Sequence, residues 1–480
     1  MVMKNIKHIL CFILSAITAV LLLSGCADGQ EASELFLSST NESREGAENR
    51  DEFNSMLKSW EIFMEAAHGA STEMESESMV EAVKNAMGSE AYNKRISLRL
   101  SCDEEEIDTY RSIVGEFKWL YANDDKYRLN IEIVANKNNA GDETGNDIFF
   151  FEDRELCGKV ASGSLSRIND EMKRIAANFN SPETIQAFTM DEKLYGFPVA
   201  SARGGILLYD KNVYGEEILS LEDMIKKAEK NKKSVMFALD DPLCSAQVFM
   251  SAGCRLEASE EAQYIGYDTK QGLEAAKTIN ELAGMQGSGF IGTGGKKELI
   301  EGFLSGKLCA AVTDEYIAHQ LWRSPIRDSL GIAKLPSVRL SGKDTQLHSF
   351  EGYRAVGVNP RSGFPFTAQM LAYYISSERS QMAAYYSCGS IPAVTISEYS
   401  EIAEDALYKI MTAQDDYQHI AVHTVSGAFY DEMEKKNIGK RILSMNGKAT
   451  EDQLIRMLSE ITLVIPRSAS VSAGTGTTGD

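Results

Sequence analysis

The chain has 480 residues, a net charge of -21, 43% hydrophobic residues and 25% charged residues, values of a globular protein with room for two or three domains. With 49 Lys and Arg against 70 Asp and Glu, it is poorly suited to nucleic acid or to direct adsorption on anionic lipid. Its eight cysteines form neither a C-x-x-C pair nor a zinc-ligand spacing, which argues against the common cysteine metal modules.

Lys4 and Lys7 precede an apolar run from Ile9 to Leu23. That length is short for a spanning helix and right for a signal-peptide core. The run ends in Leu23-Ser24-Gly25-Cys26, which resembles a bacterial lipobox. Residues 1–25 are therefore expected to be a lipoprotein signal peptide, with Cys26 lipidated and the protein held on the extracytoplasmic face of the cell membrane. A plain signal peptide or membrane anchor is the alternative. Residues 26–92 are rich in Glu, Ser, Asn and Ala and read as an acidic tether with local helix, for instance at Phe53, Met56, Leu57, Trp60, Phe63 and Met64. A small packed domain is the other reading. Once Cys11 and Cys26 are set aside, Cys102, Cys157, Cys244, Cys254, Cys309 and Cys388 stand singly among apolar residues, as small buried hydrophobes do.

From residue 95 the pattern alternates between strand and helix. Ile96-Ser97-Leu98-Arg99-Leu100 predicts a half-buried strand, Ile107 to Tyr121 one apolar helix face, and Leu129 to Ile133 a second strand. Strand, helix, strand implies a parallel pair with a right-handed crossover. Asp147 to Phe151 reads as a buried strand. In Leu194 to Asn212, Gly204 and Gly205 separate two strand-like runs, which suits either a hairpin or a hinge between lobes. Ser220 caps a helix, Ser234 to Ala238 and Leu308 to Val312 are short strands, and Gly272 to Ala283 is helical. Phe364 to Tyr386 is helical with a break near Ser376, and Thr450 with Gln453 makes a capping box for a last helix. The tail 467–480 is polar and low in complexity, and is expected to be disordered. The whole is an α/β protein with more than one core.

The catalytic signatures tried on the chain fail. Gly292 to Lys297 lacks the glycine spacing and the Ser or Thr of a phosphate loop. His419 and His423 have helical spacing without a third metal ligand. Many carboxylates are available for glycoside chemistry, and none stand out as a pair.

Taken in order, several segments between 95 and 465 resemble the extracellular solute-binding proteins of sugar ABC transporters, and among them the maltodextrin-binding proteins. They are Gly145 to Phe151, Ala161 to Leu165, Tyr195-Gly196-Phe197-Pro198 through Lys211, Ser234 to Phe237 with Asp241-Pro242, Phe303 to Lys307 with Ala310 to Val312, Gly331 to Pro336, Gly389 to Ala393, and Ala428-Phe429-Tyr430. The resemblance implies a two-lobe periplasmic-binding-protein-like fold with the ligand cleft between lobes and multiple interlobe crossovers. Lobe 1 is expected at 93–202 and 351–402, and lobe 2 at 203–350 and 403–466. It also implies a non-enzymatic binding component of an importer, expected without cofactor or metal and, from the lipobox, lipid-anchored. This component would close on maltodextrin or another oligosaccharide and deliver it to ABC permease subunits. A different solute, a sensor or an exported glycan-active enzyme are the alternatives.

Residue by residue, the resemblance places Phe151, Tyr316 and Tyr430 where the family stacks sugar rings. It places Glu104 and Glu105 in a sugar-contacting turn that lacks the usual lysine. Asp153 and Arg154 stand as a hydroxyl clamp after a one-residue shift, Asp241 beside Pro242 as a further contact, and Arg203 near a family glutamate. Leu243 and Glu434 depart from the family's aromatic and arginine.

Overall fold

The computed structural model describes residues 84, 87, 90 and 95–461, apart from 123–127, 137–144, 169, 216–219, 259–261, 397–400, 413–419 and 422–426, and also residues 465–466. The proposed signal peptide, Cys26, most of the tether, His419, His423 and the tail lie outside the described residues.

The chain divides into two compact units. Unit 1 runs to Ala200 and takes up Tyr353–Ser387 and Pro392–Thr395; unit 2 holds Ser201–Gly352, Cys388–Ile391 and the chain from Ile396. Ile396, Glu401 and Ile402, placed by sequence with the first lobe, thus group with unit 2.

In unit 1, strand β1 (Ile96–Cys102) pairs in parallel with β2 (Leu129–Ala135) and with β3 (Ile148–Glu152). Helix Ile107–Tyr121 makes the crossover between the first two, as the apolar spacing predicts. On β1 the apolar Ile96, Leu98 and Leu100 are buried while Ser97 and Arg99 are exposed. β3 is different: Ile148 to Phe151 are all buried, the pattern of a strand covered on both faces. Strand Phe350–Val358 runs antiparallel to β3, with Arg354 opposite Glu152. Helices Pro365–Ile375 and Glu378–Cys388 follow, parted at Ser376 and Ser377.

The unit 1 core also takes in Met87, fully buried. Glu90 accepts the amides of Phe366 at 2.9 Å and Thr367 at 2.8 Å, and also the Thr367 hydroxyl. A carboxylate there satisfies orphan donors at the start of helix Pro365–Ile375 and meets the positive end of its dipole. The end of the segment read as tether is therefore part of unit 1.

Unit 2 holds a five-stranded sheet in the order Phe290–Ile291, Ser234–Met236, Leu308–Thr313, Ile206–Asp210, Leu330–Ala333. The first three are mutually parallel, and Ile206–Asp210 runs against its neighbours. The expected caps are present: Ser220 accepts the Asp223 amide, and Thr450 with Gln453 closes a capping box. Helix Lys270–Gly284 packs Ala275, Ala276, Ile279 and Ala283 inward. The six described cysteines are free; Cys102, Cys254, Cys309 and Cys388 are buried, Cys244 half-buried and Cys157 exposed.

Candidate functional site

In an open α/β sheet, ligands are met beyond the carboxyl ends of parallel strands, where turns rather than strand backbone face outward. Each unit has such an edge.

In unit 1 the turns after β1 and β3 are neighbours, because Leu100 and Ser101 pair with Ile148 and Phe149. The first turn is the short 3-10 helix Glu104–Glu106, with Glu104 and Glu105 exposed. Glu106 is buried and takes the Arg354 Nη1 at 2.6 Å, while Arg354 Nη2 reaches Asp103 at 3.1 Å. The same guanidinium lies 4.6 Å from the centre of the Phe150 ring. A planar guanidinium fits this combination of carboxylate fork and aromatic face. Sequence reasoning missed this Arg354–Glu106–Asp103 group; its one visible signal is an arginine within the apolar run Tyr353 to Val358. Beside it, burial and then the Glu106 charge push the Cys102 thiol up to about 12, so it stays protonated and unreactive at neutral pH.

The turn after β3 corrects two expectations. Phe151 is 2% exposed and packs edge-on against Phe188 at 5.4 Å between ring centres. It is a core residue of unit 1, because β3 is covered on both faces, and cannot serve as a sugar platform. Asp153 is 4% exposed, and its carboxylate accepts the amides of Arg154 at 2.8 Å and Tyr353 at 3.2 Å. It is occupied with backbone rather than held out as a clamp. Burial pushes its pKa up to about 7, against the opposing effect of those amides. Arg154 is more open, and its Nε meets Glu152 at 2.5 Å.

In unit 2 the parallel strands end in three helix starts. Asp241, exposed, caps helix Pro242–Ser251 by accepting the amides of Leu243 at 2.8 Å and Cys244 at 3.0 Å; Pro242 takes the first helical position, where its missing N–H costs nothing. Gly295 opens helix Lys296–Leu304. Asp314 caps helix Glu315–Trp322, accepting the Ile317 amide at 2.9 Å. Lys296 joins the last two, with its Nζ 3.3 Å from Asp314 and 5.1 Å from the centre of the half-buried Tyr316 ring. Cys244 is pushed well up by burial and then by Asp241, with Asp314 and Asp240 adding to it. Asp241, Pro242 and Tyr316 thus share one edge. Arg203 is on strand Phe197–Gly204 and Tyr430 on helix Gly427–Lys436, with side chains outside the description. Among the described residues, no group of three or more His, Cys, Asp or Glu could hold a metal ion.

Residues 118–409 match the bacterial extracellular solute-binding proteins. The chain belongs to this family. Membership implies an exported protein that binds a solute. Solved structures with the same fold include the maltodextrin-binding protein MalE1 of L. casei, 17% identical with a TM-score of 0.61 over 76% of this chain and 98% of that one. The GacH receptor of Streptomyces glaucescens, solved unliganded and with acarbose, is 17% identical with a TM-score of 0.65 over 76% and 97%. The maltose-bound MalE3 of T. maritima is 13% identical with a TM-score of 0.63 over 76% and 99%. No curated protein matches the sequence. The solute-binding fold is α/β and two-lobed, in keeping with the two α/β units of this chain.

Proposed function

We propose that this solute-binding protein is the lipid-anchored, substrate-binding component of an ABC importer for maltodextrin or a related oligosaccharide. It is held at the membrane through Cys26, and it closes its two lobes on the sugar for delivery to a permease. The observation that carries the reading is the edge formed by Asp241, Lys296, Asp314 and Tyr316. A half-buried aromatic ring with the Lys296 ammonium beside it, itself paired with Asp314, suits a pyranose, which presents an apolar C–H face and a rim of hydroxyls. Glu104, Glu105 and Arg154 are the corresponding polar groups of unit 1, and Pro242, Arg203 and Tyr430 complete the set of proposed ligand-binding residues. The similar structures named above, a maltodextrin-binding protein solved without ligand and two others solved with acarbose or maltose, support the same class of ligand.

A thermal-shift panel on the purified protein tests this. It holds maltose, maltotriose, longer maltodextrins, other oligosaccharides, amino acids and polyamines. A ligand at a hundred times its dissociation constant stabilises the fold by about 2.7 kcal/mol. A shift with maltodextrins alone is the expected result. A shift with another sugar keeps the transport reading and changes the substrate. Response only to non-sugar solutes, or turnover of a glycan, overturns the proposal.

A further inference from the structure

Gln381 lies in helix Glu378–Cys388 and is 1% exposed. Its Nε2 donates to the carbonyls of Pro198 at 3.1 Å and Ser376 at 2.7 Å. Its Oε1 accepts the amides of Ala393 at 2.7 Å and Val394 at 3.2 Å. A primary amide has two donor hydrogens and two acceptor lone pairs, so the side chain is saturated. The orientation of the amide is also fixed, since carbonyls only accept and amides only donate.

All four partners belong to unit 1, yet three of them sit where the chain changes unit. Pro198 shortly precedes the change after Ala200, and Ala393 and Val394 lie within Pro392–Thr395, which has a change at either end. On the unit 2 side the same two segments are tied directly, with the Ser201 amide donating to the Ile391 carbonyl at 2.8 Å. Between the two ties stand only Val199 and Ala200 on one segment and Pro392 on the other. An apolar residue would suffice if position 381 served packing alone. A buried amide is costly unless its hydrogen bonds are met, and here they are met by the connectors.

We propose that Gln381 is a positioning residue for ligand binding: it clamps the unit 1 ends of two connecting segments, so that in these two, among the five places where the chain changes unit, the backbone rotation of closure is confined to Val199–Ala200 and Ile391–Pro392. This rests on the reading that the protein works by closure. Hinges of a few residues need fixed ends to turn a small change of φ and ψ into one defined motion.

The test uses the full chain, Gln381→Met and Gln381→Glu. Methionine keeps the length and removes all four bonds, whereas glutamate keeps the acceptor for Ala393 and Val394 and loses the donor to Pro198 and Ser376. Amide hydrogen exchange and oligosaccharide affinity are measured. In Gln381→Met, exchange is expected to quicken about tenfold or more at Ala393, Val394 and also Ser201, whose amide bonds to Ile391 rather than to Gln381. Exchange at the sheet residues Leu100 and Val312 stays unchanged, and affinity falls about tenfold; Gln381→Glu lies between. Wild-type exchange at Ser201 with wild-type affinity overturns the proposal, as does a uniform rise across unit 1, the mark of a merely structural role. If Gln381→Met does not fold, Gln381→Glu decides by the same two readings. A wild type that binds no oligosaccharide sinks the sugar reading, while exchange at Ser201 still decides the role of Gln381.

Discussion

Replacing Asp153 by Asn is expected to remove a pH dependence from the stability of the protein. The Asp153 carboxyl is 4% exposed, and burial raises its pKa from 3.8 to about 7. A raised carboxyl pKa means that the folded protein holds this proton more tightly than the unfolded chain. The associated stability is full below the unfolded value and is lost as pH rises through the folded one. Between pH 5 and pH 8 that loss is roughly 2–3 kcal/mol, taking about 1.4 kcal/mol for each pH unit in which only the unfolded state is ionised. Asparagine cannot ionise, but its nitrogen faces one of the two amides that the carboxylate accepts, a loss of about 1–3 kcal/mol at every pH. Asp153→Asn should therefore be less stable than wild type at pH 5 and should close or reverse the gap at pH 8. Urea unfolding of both proteins at the two pH values reads this directly. Parallel stability profiles across that range would show that the buried carboxyl does not govern the pH response.

Tyr316→Ala is expected to weaken oligosaccharide binding by about 1–3 kcal/mol with little change in stability, whereas Phe151→Ala costs about 3–5 kcal/mol of stability; calorimetric titration and denaturant unfolding of each separate the two roles, and an exchange of those phenotypes would refute the placement. Glu90→Ala removes the acceptor at the start of helix Pro365–Ile375 and should lower stability by roughly 1–2 kcal/mol, read as a fall in Tm; an unchanged Tm would mean that the segment adds nothing to unit 1. Arg354→Met leaves Glu106 buried without its cation and should cost about 3–5 kcal/mol, with Glu106→Gln in the same chain recovering much of the loss; additive losses in the double variant would contradict the pairing.

Where one physical signal sets a structure, the sequence is easy to read. Alternation sets β1, helical spacing sets Ile107–Tyr121, and the Thr450–Gln453 box sets the last helix; each stands within a residue or two of its expected place. The candidate site is harder, because the same side chains serve cores and ligands. The run Phe149 to Phe151 resembles both a buried strand and a sugar platform, and only its coverage on both faces decides for the core. Asp153 differs from an open hydroxyl clamp through the Tyr353 amide, two hundred positions away in the chain. Asp241 and Tyr316 follow the carboxyl ends of the Ser234–Met236 and Leu308–Thr313 strands, and belong to one edge because those strands are parallel neighbours. Met87 and Glu90 lie in a stretch whose composition reads as tether, and long-range contacts alone bring them into the fold.

Those contacts at Met87 and Glu90 also set the reach of any anchor upstream of them. A tether leaving the folded body at residue 84 instead of residue 95 is shorter by eleven residues, about 40 Å of fully extended chain. Shortening the leash confines the body to a thinner layer above the surface that holds it, and raises its local concentration at any partner in that surface. In a protein anchored through Cys26, as proposed, the Glu90 staple would act on encounter frequency as well as on folding: releasing it would let the body roam farther while its affinity for a dissolved ligand stayed the same.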